Sequence, residues 1–303
     1  MAMSEKIEVG GQAVIEGVMM RSPQRIVTAV RRKSGQITVK KEPYIALSKR
    51  YRVLGWPLIR GVISFFEMLI IGLRTLNYSA EAAMEDLEEN EQTKSKSGGG
   101  FLVLSLILGL TLGLAIFFFI PLLLTSLLKI HRGALGFNLV AGAIRVFLFL
   151  AYVWTISQFG QLRRIFEYHG AEHKSIYAYE EGQELTPQAV RRFSTRHPRC
   201  GTSFLLIVAL MAIVIFALAD TVFAWRTGHL PGLLQRLLIH FLLLPLVAGS
   251  SYELLKFSGR SRHHPIVRLL MSPGLWLQRI TTREPSDDQL AVALVALKEA
   301  LAP

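Results

Sequence analysis

One cysteine, Cys200, occurs in 303 residues, which excludes an intrachain disulfide and any internal CxxC pair. Charge is also scarce, at 18% against the roughly 25% usual in soluble domains. Acidic residues are the scarcer sign, with 22 Asp and Glu against 34 Lys and Arg and a net charge of +12. No internal repeat is present, and no glycine-rich stretch is followed by the Lys-Ser/Thr pair of a phosphate loop. Residues 1–9 are polar and hold no apolar core of a signal peptide, so none is expected. Collagen, coiled-coil and fully disordered chains are excluded by the same composition.

What the chain has in excess is apolar surface, at 51% of residues and a mean hydropathy of +0.38, gathered in blocks. Four blocks reach the roughly 20 residues that a bilayer-spanning helix needs: 101–128, 134–157, 203–225 and 232–254. A fifth, 56–76, is shorter in its apolar core and interrupted by Glu67 between Arg60 and Arg74. That pattern fits a helix lying in the membrane interface. The expected fold is therefore a mainly α-helical integral membrane protein with about four transmembrane helices. A small N-terminal cytosolic β-containing region, an interfacial helix and a C-terminal amphipathic helix complete it.

Basic residues set the orientation. Of the 34 Lys and Arg, 29 fall in residues 1–100, 158–202 or after 250, which the positive-inside rule assigns to the cytoplasm. A bacterial inner (plasma) membrane protein with both termini cytoplasmic is expected. The same charge implies attraction to the bilayer's anionic lipid headgroups. A protein partner is the next expectation, and nucleic-acid or ribosome contact is disfavoured because no RNA-binding motif accompanies the charge.

Within that frame the chain divides into a glycine-rich segment and β-hairpin (1–55), an amphipathic interfacial helix (56–84) and a flexible linker (85–100). A four-helix membrane domain (101–255) carries a cytosolic loop at 158–202, and an interfacial segment with a C-terminal helix (256–303) follows. The hairpin joins 25–31 to 36–41 through Lys-Ser-Gly. Residues 10–23, with three glycines in eight positions, read as a bent strand or a close backbone approach. Ser286-Asp287-Asp288-Gln289 is a capping box opening the last helix.

The residues able to do chemistry lie between the second and third spans. His169 and His173 are one helical turn apart and project from one face. Glu172 sits about 60° round the helix from His169. Two imidazoles and a third ligand are the usual complement of a catalytic zinc, with one position left for water. Glu172 is the expected base for that water. The order H-x-x-E-H is that of the inverted zinc peptidases. The third ligand is open between Glu253, His197 and Cys200, all expected at the same membrane face, where His263 and His264 also fall. Two plainer readings stand beside these. His197 to Cys200 also reads as a capped, basic lead into a membrane helix, and the His169/Glu172/His173 group as a hydrogen-bonded cluster without metal. Inside the spans, Arg145 must face other helices, and Asp220 and Arg236 are placed to pair.

Four blocks in order, GGQAVIEGVMMRSP (10–23), EYHGAEHK (167–174), HPRCGTSF (197–204) and Pro273-Gly274 through Thr281-Thr282-Arg283-Glu284-Pro285, resemble the hallmarks of the YqhQ family. These are multi-pass bacterial membrane proteins carrying a domain of unknown function and described as expected metal-dependent enzymes. The resemblance covers almost the whole chain, with every block intact. Two functional classes follow: a cytosolic-face divalent metal site, zinc favoured, serving metal-dependent hydrolysis, or a non-catalytic membrane scaffold or adaptor.

Overall fold

The structure is a computed structural model that describes residues 7–88, 98–128, 133–198, 200–260 and 265–302. His263, His264 and most of the expected linker lie outside the described residues.

The N-terminal region is a four-stranded antiparallel meander: β1 (Gly10–Val14), β2 (Gly17–Arg21), β3 (Arg25–Arg31) and β4 (Ile37–Pro43). The expected hairpin is β3–β4, paired from Arg31↔Ile37 to Arg25↔Pro43. The glycine-rich block is more than a bent strand. It folds back on itself as β1–β2, turning at Ile15-Glu16 with Glu16 at φ 51°. The Ile15 N–H that this turn frees donates to Ser79 Oγ at 3.1 Å.

Alternate residues of the sheet enter two different cores, as the two-residue period of a strand requires. Val18, Met20, Val27 and Ala29 pack with Tyr168, Ala171 and the leucines of the C-terminal helix. Met19, Ile26 and Val30 pack with Met68, Ile71, Tyr78 and Ala82. Both faces are covered, which is how a small sheet buries enough apolar surface to hold.

The helices are α1 (Leu47–Arg50), α2 (Ile59–Glu88), α3 (Gly98–Leu114), α4 (Ile120–Leu127), α5 (Gly133–Ile156) and α6 (Gly160–Glu180). After them come α7 (Pro187–Val190), α8 (Gly201–Thr227), α9 (Leu233–Arg260), α10 (Pro265–Thr281) and α11 (Asp287–Leu301). Four segments are long and apolar enough to cross a membrane: Ile107–Leu127, Gly133–Ile156, Phe204–Thr227 and Leu233–Phe257. They coincide with the four expected spans. Helix α2 is not among them. It lays Met68, Ile71, Tyr78 and Ala82 on the sheet and leaves Phe66, Leu69, Ile70 and Leu73 exposed on its other side.

A π-helical turn, Ala115–Phe119, joins α3 to α4, and Arg145 Nε donates to the Phe117 carbonyl within it at 2.8 Å. The arginine thus meets a neighbouring helix inside the bundle. Toward the other end of the spans Asp220 accepts from Arg236 Nε at 2.8 Å, as the sequence suggested.

Chain order fixes where the site falls. Helix α5 leaves the membrane where α8 enters and α9 leaves, so α6, the start of α8 and the end of α9 share one membrane face. The sheet joins them there because α6 packs against β1 and β2. Arg164 of α6 anchors this contact, with Nε 2.5 Å from Glu16 Oε1 at the β1–β2 turn. Helix α11 closes the far side. Its capping box, with Ser286 and Gln289 bonding reciprocally, fixes where it starts. Leu290, Leu294 and Leu297 are then buried against the sheet, each contributing about 1.5–3 kcal/mol.

Candidate metal centre

The centre of α6 is polar yet buried. Glu172, His173 and Lys174 are consecutive and nearly inaccessible, so each must be satisfied or used. Lys174 is satisfied, donating to the Arg191 carbonyl at 2.7 Å and pairing with Glu284 at 2.7 Å.

The two histidines are held by the backbone. His169 Nδ1 lies 2.8 Å from the Thr281 carbonyl, and His173 Nδ1 lies 2.5 Å from the Thr195 carbonyl. A carbonyl oxygen can only accept, so Nδ1 carries the proton in both rings and each Nε2 keeps its lone pair. The rings stand 4.4 Å apart, centroid to centroid. His169 Nε2 is 3.2 Å from Cys200 Sγ. His173 Nε2 is buried without a hydrogen-bond partner. One donor atom from each of His169, His173 and Cys200 lies within 4.8 Å of the others. Glu172 Oε2 adds a carboxylate oxygen 3.5 Å from His173 Nε2 and 4.0 Å from His169 Nε2.

Cys200 combines both sequence readings. It is the N-cap of α8, with Sγ accepting from the Thr202 N–H at 3.4 Å, and it also faces His169. His197 stands at the edge of the group. Its ring is 5.8 Å from that of His173, and its Nε2 is directed at Glu180 Oε1, 3.4 Å away. Glu253 is held apart from it. Both its oxygens accept from Arg60, Nε at 2.6 Å, at the start of α2, and it does not join the His/Cys group. The position of Glu253 on α9 does not by itself reveal the arginine that α2 brings to it.

Burial shapes the titration of the group. It pushes the Glu172 carboxyl above the ordinary carboxylate value, opposed by His169, His197 and the Gly11 N–H. It pushes the His173 imidazole below its ordinary value, and the neighbouring His169 pushes the same way. Burial therefore favours the neutral form of the His173 imidazole.

Three contacts of the site were not legible in the sequence, although a close backbone approach was expected of the glycine-rich block. Gly11 of β1 lies against Glu172, where a Cβ would meet its Cγ at 2.7 Å, so the strand passes close enough for its N–H to reach the carboxylate. Gly170, between the two histidines, lets the Arg283 carbonyl approach to 2.0 Å from where a Cβ would be. Gln278 clamps His197, accepting from its N–H at 2.7 Å and donating to its carbonyl at 2.9 Å. The first and last of the four sequence blocks are thus walls of the same site.

Comparison with known proteins agrees with this arrangement of blocks. A family model described as protein of unknown function (DUF1385) matches residues 56–303. The uncharacterized protein YqhQ of Bacillus subtilis (strain 168) is 35% identical over 300 residues, spanning 96% of this chain and 92% of that protein. No solved structure matches. With the matched residues running from the start of α2 through α11, the chain belongs to the DUF1385 family, that of the YqhQ proteins.

Proposed function

We propose that this protein holds a divalent metal at His169, His173 and Cys200, with Glu172 beside it, and that the site is hydrolytic. The observation that carries this reading is the use of Nδ1. One buried and one partly buried imidazole give their N–H to backbone carbonyls, which sets the tautomer and turns their Nε2 lone pairs toward a buried thiol. Metal-ligating histidines are oriented by such outer partners. A hydrogen-bonded cluster without metal would leave the His173 Nε2 lone pair buried and unused, at a cost of about 1–3 kcal/mol.

The donor set, two imidazoles and a thiol, suits zinc among the common divalent metals. Bound there, such an ion polarises a carbonyl or phosphoryl oxygen and lowers the pKa of water. The rest belongs to the chain. Glu172, raised by burial and within 4.0 Å of both imidazoles, is placed to take a proton from a water and return it to a leaving group. The Gly11 N–H holds that carboxylate in place, and β1 covers it.

The proposed setting is the cytoplasmic face of a bacterial inner membrane, with both termini inside, on the strength of the basic bias. Elemental analysis of the purified full-length chain tests the site. Wild type is expected to carry about one metal per chain, and His169→Ala and His173→Ala each almost none. Equal metal in wild type and both variants would refute it.

A further inference from the structure

Beside the site a cavity of about 630 Å³ opens between the sheet and the membrane helices. Its wall reaches the site at two points. Gly10 precedes Gly11, which touches Glu172, and Pro198 follows His197. Four cations from four elements line it: Arg21 of β2, Lys49 of α1, Arg60 of α2 and Lys256 of α9. Among the described residues one carboxylate, Glu8, joins them in the wall. Two of the four are fixed in place. Arg21 donates to Tyr44 Oη at 3.1 Å and lies over that ring, and Arg60 is held by Glu253. Lys49 is exposed at the rim.

The chain around the rim belongs to an interface between water and lipid. Tyr51, Val53, Trp56 and Leu58 are all exposed, interleaved with Arg50 and Arg52. Aromatic rings and basic side chains in alternation mark the headgroup level of a bilayer. The cavity also takes in Tyr252 and Leu255, near the end of the apolar segment Leu233–Phe257. A concave wall with excess positive charge and partial shielding from water concentrates anions. Arginine and lysine donors on such a wall select phosphate oxygens.

We propose that this cavity binds the phosphate group of an anionic amphiphile entering from the membrane surface, and that phosphate-bearing compounds are the substrate class of the adjoining site. The second half rests on the hydrolytic reading of that site, whereas the first does not.

Binding of dihexanoyl phosphatidic acid to the full-length chain in detergent, measured by calorimetry after chelation so that nothing turns over, tests it. Wild type is expected to bind this lipid, and to bind dihexanoylglycerol, which lacks the phosphate, at least tenfold more weakly. Lys49→Glu and Lys256→Glu should each weaken phosphatidic acid binding at least tenfold without changing the melting temperature. Competition by inorganic phosphate tests the membrane source: weak competition supports a lipid headgroup, and parity with the lipid would overturn that source in favour of a soluble phosphate compound. Equal binding of the phosphate-free lipid, or unchanged binding in both lysine variants, would overturn it. Metal content is read on the same wild-type preparation before chelation. Charge-dependent lipid binding by wild type that carries no metal as purified would sink the hydrolytic reading and leave the phosphate site standing.

Discussion

Two buried polar clusters of similar composition lie toward opposite ends of the helix bundle, and they differ in what their lone pairs are doing. At one end Asp220 receives Arg236 Nε and Asn138 Nδ2 on one oxygen, each at 2.8 Å, and His240 Nε2 on the other at 2.9 Å. His240 is stacked flat on Phe216, centroids 4.0 Å apart. The carboxylate is saturated, and the one ring nitrogen left over, His240 Nδ1, is buried alone with no second donor or acceptor set against it. At the other end His169 and His173 give their protons to main-chain carbonyls, and their remaining lone pairs face a thiol and a carboxylate. Both clusters contain histidine and a carboxylate. Charge that closes on itself locks helices together, while lone pairs that converge are a site for something else.

The largest expected effect breaks the closed cluster. Asp220→Ala leaves Arg236 and His240 buried without their acceptor, and should cost about 3–5 kcal/mol in detergent unfolding measurements. Metal content should stay at the wild-type level, since no ligand is touched. Next is Gly170→Ala, whose new methyl would collide with the Arg283 carbonyl. The displaced segment carries the Thr281 carbonyl that orients His169. Metal affinity in a chelator competition should fall about 10–100-fold, as loss of an outer partner typically does.

Cys200→Ser separates cap from ligand. Serine is a good N-cap, so melting should move by less than about 1 kcal/mol equivalent. Metal affinity should nevertheless drop sharply, and retention of full affinity would assign the third position elsewhere.

The smallest effect is in pH. In metal-free protein the raised Glu172 carboxyl favours its protonated form on folding. Its contribution is complete below the unfolded value of 4.5 and is lost as pH rises through the higher folded value. His173, depressed by burial, contributes above 6.5 and is lost as pH falls through its lower folded value. Glu172→Gln should therefore flatten the first slope and leave the second, in melting measured from pH 4 to 8.

The membrane helices were legible because apolar length alone specifies them, and the capping box of α11 because its two bonds are local. His169 and His173 were legible because helical period puts i and i+4 on one face. Cys200 was visible only as one option of three. Its place beside His169 depends on α6 and the start of α8 meeting, a contact no local pattern encodes. Glu253, an equal option by sequence, is paired with Arg60 of α2, a contact that its position on α9 does not reveal. In the glycine-rich block the close backbone approach was legible, but not what it approaches. Its small residues let β1 pass against Glu172, and the need for a small residue at Gly11 arises from a partner 161 positions away. Sequence periodicity reports which face a residue takes, not what arrives there.

X-ray absorption at the edge of the bound metal tests the central claim most directly, because it reports ligands without reference to activity. The account predicts, for zinc in the wild-type chain, a nitrogen shell at about 2.0–2.1 Å and a sulfur scatterer at about 2.3 Å. The sulfur should vanish in Cys200→Ser. A shell of light atoms with no sulfur in wild type, or no metal above background, would contradict it.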